Sequence, residues 1–251
     1  MTPGEGIEFF DCNAYAGAGL FPPLEPALVP EALLDEMDHC GVDRALVNHD
    51  GGDFSNPLES NAEIAAFCRS SERLLPVWNI LPPHAEMPVD DLLTGMRDHG
   101  VAALRARPDA HRYLLNEVTM GTVLGELADR RIPLLVNVEE GWQLLFDVLD
   151  SYPDLVLIAT DHGCWGDDRF FRPLLERYRH FHIDTSRYEL DGGLEDVVAT
   201  YGSRRLLFGS SYHHVPMGGS SLLVRHAGIG EDDRAAIASG NLQAILDEVR
   251  L

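Results

Sequence analysis

The chain has 251 residues, 45% of them hydrophobic, which is enough to bury one sizeable core and suits a single domain spanning residues 1–251. Its formal net charge is −22, from 41 acidic and 19 basic residues, and such a field repels phosphate backbones and anionic lipid surfaces, so neither nucleic acid nor membrane is an expected partner. Every one of the 19 basic residues is arginine, and the absence of lysine excludes Schiff-base chemistry, covalent pyridoxal phosphate, a P-loop and a carbamylated-lysine metal bridge.

Taken in chain order, short apolar, β-rich runs alternate with longer amphipathic stretches, the pattern of repeated βα units around a parallel sheet. Strands are predicted over residues 7–13, 44–49, 74–81, 101–107, 132–138, 155–160, 181–186 and 205–210. Helices are predicted over 30–39, 59–71, 89–99, 114–131, 141–151, 168–179 and 194–201, and 231–249 reads as a terminal helix packed on the body. Two helix exits share one grammar. Met37-Asp38-His39-Cys40-Gly41-Val42 and Met96-Arg97-Asp98-His99-Gly100-Val101 each place a histidine at the negative end of the helix dipole and a glycine where a left-handed residue ends the helix. Eight such units predict an α/β fold, a (β/α)₈ TIM barrel.

Cys12, Cys40, Cys68 and Cys164 are scattered without zinc-ribbon spacing, which suits reduced thiols. No stretch has the length and apolarity of a membrane span, and residues 1–8 lack the features of a signal peptide, so a cytoplasmic location is expected.

In a barrel of this kind function gathers where the strands end. The first strand is followed by Asp11-Cys12-Asn13-Ala14-Tyr15, the second by Asn48-His49-Asp50, the third by Pro82-Pro83-His84. The fourth offers Arg105 and Arg107, the fifth Asn137, Glu139 and Glu140, the sixth Asp161-His162. The seventh gives Asp184, Ser186 and Arg187, and the eighth Ser210-Ser211-Tyr212-His213-His214. Arg105 and Arg107 alternate on a strand and so share a face, where they either clamp a carboxylate or pair with Glu139, Glu140 or Asp184. His180 and His182 alternate likewise and share a face, that of the filled barrel interior or of the mouth. Cys164 reads as a small buried cysteine or as a thiol beside His162, and Asp11 as a backbone anchor or a functional carboxylate.

The order of these pieces resembles the amidohydrolase-related family, in its amidohydrolase-2 branch, which includes aminocarboxymuconate semialdehyde decarboxylase and the pyrone dicarboxylate lactonases. The resemblance rests on Phe9-Phe10-Asp11-Cys12-Asn13-Ala14-Tyr15, Gly41-Val42-Asp43-Arg44-Ala45-Leu46-Val47, Ala103-Leu104-Arg105-Ala106-Arg107-Pro108, Asp161-His162-Gly163, Phe208-Gly209-Ser210-Ser211-Tyr212 and Gly240-Asn241-Leu242. It implies a metal-dependent hydrolase-like barrel. At the positions where the family pattern carries metal ligands this chain has Asn13, Tyr15, Asn137, His162 and Ser211, so only the histidine of the sixth strand is kept. Neutral amides and hydroxyls are poor ligands for zinc. No metal or other cofactor is expected at that place.

Three readings follow. In the first, His162 acts as a general base on water, with Asp161 beside it, Arg105 or Arg107 holds a substrate carboxylate, and Tyr15 or Asn137 donates to a developing oxyanion. Asn13, Ser211, His49 and His213 complete the expected substrate-binding set. The reaction would be metal-independent hydrolysis of a small carboxylated ester, lactone or amide. In the second, the barrel binds a small molecule or partner without turnover. In the third, a metal site has moved to His49, His162, His213 or His214 with Asp50 or Asp161. Whether the chain forms a homo-oligomer is left open.

Overall fold

In a computed structural model, which describes residues 6–17, 28–84 and 86–251, eight parallel strands pair in sequence order. They are β1 (Phe10–Ala16), β2 (Arg44–His49), β3 (Leu74–Asn79), β4 (Ala103–Ala106), β5 (Leu134–Asn137), β6 (Leu157–Thr160), β7 (Phe181–Asp184) and β8 (Leu206–Leu207). The ring closes through backbone bonds from Cys12 to the Phe208 carbonyl and from Ser211 to the Asn13 carbonyl. The (β/α)₈ TIM barrel predicted from the pattern is the fold observed.

Helices α1 (Pro30–Cys40), α2 (Pro57–Cys68), α3 (Val89–His99), α4 (Glu117–Arg130), α5 (Trp142–Ser151), α6 (Asp168–Arg177), α7 (Gly193–Tyr201) and α8 (Met217–His226) surround it. Local chemistry sets their ends. Proline opens α1 and α2, the Asn56 and Asn116 side chains accept from the first-turn amides of α2 and α4, and Gly41 and Gly100 end α1 and α3 at φ 66°. No helix was expected over α8, whose Gly218-Gly219-Ser220-Ser221 run has low intrinsic propensity; burial of Met217, Ser220, Ser221 and Val224 holds it instead.

The core has two layers. Strand residues such as Val47, Leu104, Val136 and Ile183 pack outward against Leu33, Ile64, Met96, Leu124 and Leu174 of the helices. Phe10, Leu46, Val77, Ala103, Leu135, Ile158 and Leu207 fill the lower barrel interior, where Leu242 and Ile245 join them. Those two belong to the terminal helix predicted from the sequence. It is built of α9 (Glu231–Ala235), a π-helical turn over Ala236–Gly240 and α10 (Asn241–Asp247). The π turn directs the Ile237 carbonyl to the Phe208 amide, and the Asn241 amide donates to the carbonyls of Ser203 and Leu206. β8 is therefore shorter than the 205–210 expected, because its next amide bonds to a helix rather than a strand.

β1 begins later than the expected 7–13 and runs on to Ala16, which pairs with His49. A bulge between Asp11 and Ala14 lets both Cys12 and Asn13 face the interior, so Asn13 and Tyr15 stand on the strand itself. Among the described residues, no helix is long and apolar enough to cross a membrane.

Candidate functional site

At the C-terminal end of the strands, Asn13 is the hub of a buried polar network. Its Oδ1 accepts from Arg105 at 2.6 Å, and its Nδ2 donates to Asp161 at 3.1 Å and Asp184 at 3.0 Å. Arg105 is 1% exposed and also donates to the Tyr15 hydroxyl at 2.8 Å. Asn137 Nδ2 lies 3.3 Å from Asp161, the Tyr15 hydroxyl 3.5 Å, and Arg187 Nε 3.7 Å. The Asp161 amide donates to Asp184 at 3.1 Å, tying the two carboxyls together.

Burial works to raise the pKa of Asp161, but the Arg105 charge and the hydrogen bonds from Ser211 and Asn13 outweigh it and hold this carboxyl below its usual range. Asp184 goes the other way, pushed up by burial and by the charge of Asp161. Asp11 lies beneath, accepting from the amides of Asn13 and Ser210 and from the Ser210 hydroxyl; burial pushes it up to about 6 against those bonds.

Above this floor opens a cavity of about 250 Å³, lined by Tyr15, Asp50, Phe54, Arg107, Asn137, Glu139, Asp161, Arg187, Ser211 and His214. A larger cavity of about 810 Å³ lies at the opposite end of the barrel, bordered by His180, His182, Arg204 and Arg205. Function in this architecture belongs to the C-terminal face, so the smaller, more polar cavity is the candidate site. Asp161 and Ser211 sit at its floor with left-handed backbones, φ 62° and 53°, conformations that residues other than glycine adopt at a cost and that cluster at working sites.

On one wall stand Asp50, at the end of β2, and His214, beyond β8, with the buried His213 next to them. β1 lies between those strands. His214 Nε2 is 2.7 Å from Asp50 Oδ1 and His213 Nε2 is 3.5 Å from Oδ2. Burial works to raise the Asp50 carboxyl, but the hydrogen bonds and charges of the two imidazoles prevail and hold it below its usual range. The three donor atoms lie within 4.8 Å of one another, compact enough to hold a metal ion.

The expected site residues divide. Tyr15, Asn13, Asn137, Asp161, Ser211 and both arginines come together at the mouth, with Arg105 in the buried floor and Arg107 on the cavity wall. His162 does not join them. It is fully buried between Phe171 and Tyr188, at centroid distances of 5.2 and 5.1 Å, with Nε2 2.7 Å from the Asp184 carbonyl, and burial lowers its pKa. The left-handed turn at Asp161 reverses the strand alternation, bringing Asp161 into the mouth and sending His162 outward. His49 also turns away, to Glu63 of α2 at 2.9 Å. Arg105 meets an amide and a phenol rather than the acidic partners expected, and Cys164 is partly exposed rather than buried. Phe54 and Arg187 line the cavity although neither was among the expected site residues. Arg187 stood in view after the seventh strand, whereas nothing in the Phe54 neighbourhood marks it.

No family model and no curated protein matches the sequence. Solved structures do match the fold. An uncharacterised TIM-barrel protein from Bordetella bronchiseptica superposes with a TM-score of 0.77 at 17% identity, over 96% of this chain and 99% of that one. A 2,6-dihydroxybenzoate decarboxylase complexed with 2,6-dihydroxybenzoate gives 0.76 at 15%, over 96% and 99%. An amidohydrolase II gives 0.73 at 14%, over 95% and 99%. At such identities the likeness establishes the architecture, and chemistry must be argued from this chain's own residues.

Proposed function

We propose that this chain is an amidohydrolase-related barrel that hydrolyses a small carboxylated ester, lactone or amide in the cavity at its mouth. The observation that carries the reading is the Asp50–His214 pair, 2.7 Å apart, on the same cavity wall system as Arg107 and Arg187. A carboxylate that holds one nitrogen of an imidazole fixes its tautomer and leaves the other for proton transfer. His214 therefore takes the base role that the first of the three readings assigned to His162. The two guanidiniums bind the substrate carboxylate. Tyr15, whose oxygen accepts from Arg105, has its hydroxyl hydrogen to donate to a developing oxyanion. The solved decarboxylase complex carries a small carboxylated aromatic, a ligand class that such an arginine-lined cavity also suits.

The place where the family pattern would hold an ion does not fit one here. Asn13, Tyr15, Asn137 and Ser211 offer no charged donor, and the Arg105 guanidinium, 2.6 Å from Asn13, already brings a positive charge there. No step is drawn through an ion at that position.

The test is a panel of carboxylated lactones, esters and amides together with their decarboxylated analogues. Turnover confined to the carboxylated members, falling about 10²-fold or more in His214→Asn, supports the reading; turnover indifferent to that substitution refutes it. A second reading, a barrel that binds the same ligands without turnover, is favoured by Asn13, which commits both ends of its side-chain amide to Arg105, Asp161 and Asp184. Saturable binding with no product across the panel would establish it.

A further inference from the structure

We infer that Asp50, His213 and His214 form a binding site for one divalent transition-metal ion of the zinc class, at a place distinct from the Asn13, Tyr15, Asn137 and Ser211 positions. The inference deepens the hydrolase reading, because it adds an ion to the same cavity, but its test does not need turnover. Its basis is convergence. Two imidazoles, with ring planes at 85° and centroids 5.3 Å apart, aim their Nε2 atoms at the two oxygens of one carboxylate.

Zinc binds imidazole nitrogen and carboxylate oxygen at about 2.0–2.2 Å in a tetrahedron, which places neighbouring donors roughly 3.3–3.5 Å apart. His213 and Asp50 stand at 3.5 Å already. That distance runs to Oδ2, whereas His214 stands 2.7 Å from Oδ1, a hydrogen bond that opens once an ion replaces the bridging proton; the donor atoms spread over up to 4.8 Å, so closing on one ion takes side-chain shifts of about an ångström. The side chains of His213 and Asp50 are 1% and 4% exposed, so the imidazole and the carboxylate are already desolvated and held in place. His214 is 37% exposed and, with Asp50, borders the 250 Å³ cavity.

Two histidines and one carboxylate make a three-ligand set, and the cavity leaves the fourth position to water or substrate, the arrangement of catalytic rather than structural zinc. An ion there lowers the pKa of its bound water to about 7 and takes over water activation from His214. Arg107 and Arg187 line the same cavity, where a carboxylated substrate would bridge the positive groups.

The experiment is equilibrium dialysis of the purified full chain against Zn²⁺ after chelator treatment, with metal analysis, followed by nitrogen NMR of the imidazoles with and without Zn²⁺. One equivalent of zinc, binding weakened at least 100-fold in each of His213→Gln, His214→Gln and Asp50→Asn and unaltered in the surface control His39→Gln, supports the site. Should the variants fail to fold, the unmutated protein still decides: Zn²⁺ must shift the Nε2 resonances of His213 and His214 and no others. No stoichiometric binding, or binding that leaves these two imidazoles unmoved, overturns it. Zinc binding without hydrolysis sinks the hydrolase reading and keeps the site; hydrolysis by a chain that binds no zinc does the reverse.

Discussion

Replacing Arg105 by Met keeps most of the aliphatic stem and removes the charge from the floor of the mouth. The side chain is 1% exposed, so solvent does not screen what is lost. Two hydrogen bonds disappear, to Asn13 and Tyr15, and Asp161 loses the cation that most opposes its burial. Taking one partner from a buried charge cluster costs about 3–5 kcal/mol. For a chain of this size 1 kcal/mol moves the melting temperature by roughly 2–4 °C, so a loss near 4 kcal/mol lowers it by about 8–16 °C. The deficit also depends on pH. A carboxyl held below its usual range stabilises the fold above its unfolded pKa of about 3.9, and that contribution is lost as pH falls through the folded value. Without Arg105 the pKa of Asp161 rises, the variant sheds the buried charge by protonation, and its deficit shrinks on acidification. Urea denaturation followed by circular dichroism at pH 7 and pH 5 reads both effects. A variant within about 1 kcal/mol of the parent at pH 7, or a deficit that grows at pH 5, refutes the argument.

Asp11, raised to about 6 from 3.8, makes the fold lose about 3 kcal/mol as pH climbs through that window, and Asp11→Asn should abolish that slope in pH-dependent urea midpoints. His182, lowered to about 3 chiefly by burial and then by the charges of His180 and Arg205, costs about 2 kcal/mol between pH 6.5 and pH 5, where only the unfolded chain takes up the proton. His182→Asn should remove that loss in the same titration. A Cβ on Gly209 would stand 2.7 Å from Asp184 Oδ2, so Gly209→Ala is expected to destabilise by about 1–3 kcal/mol in thermal melts. Arg187→Met, which strips a half-exposed guanidinium from the cavity, should raise KM for a carboxylated substrate several-fold and leave kcat nearly intact.

The barrel was legible because burial imposes periodicity. Each strand must show an apolar face to the helices, and each helix an apolar stripe to the strands. Gly41 and Gly100 marked helix ends because few other residues take φ 66° without strain. α8 was not legible, since tertiary burial rather than propensity forms it. Residues of the mouth were found by their place after each strand, yet their directions were not. Strand parity carried past Thr160 puts His162 inside the barrel, and a single left-handed residue, Asp161, inverts that parity. Nothing in the letters Asp161-His162 announces it. Asp50, His213 and His214 were among the candidates for a displaced metal site, but only the adjacency of β2 and β8 to β1 turns them toward one another.

The π turn gives the C-terminal segment a part in the order of synthesis. Ile237 completes the bonding of the last strand, and Leu242 and Ile245 seal the lower barrel. All three leave the ribosome after every residue of the mouth, at about 5–20 residues each second. Until they emerge, Phe10, Leu46, Val77 and Leu207 have no lid, and the earlier strands form an open sheet with an apolar end. A stop codon just before Ile237 would thus trap the nascent chain in a form that chaperones must shield, although every residue of the mouth had already been made.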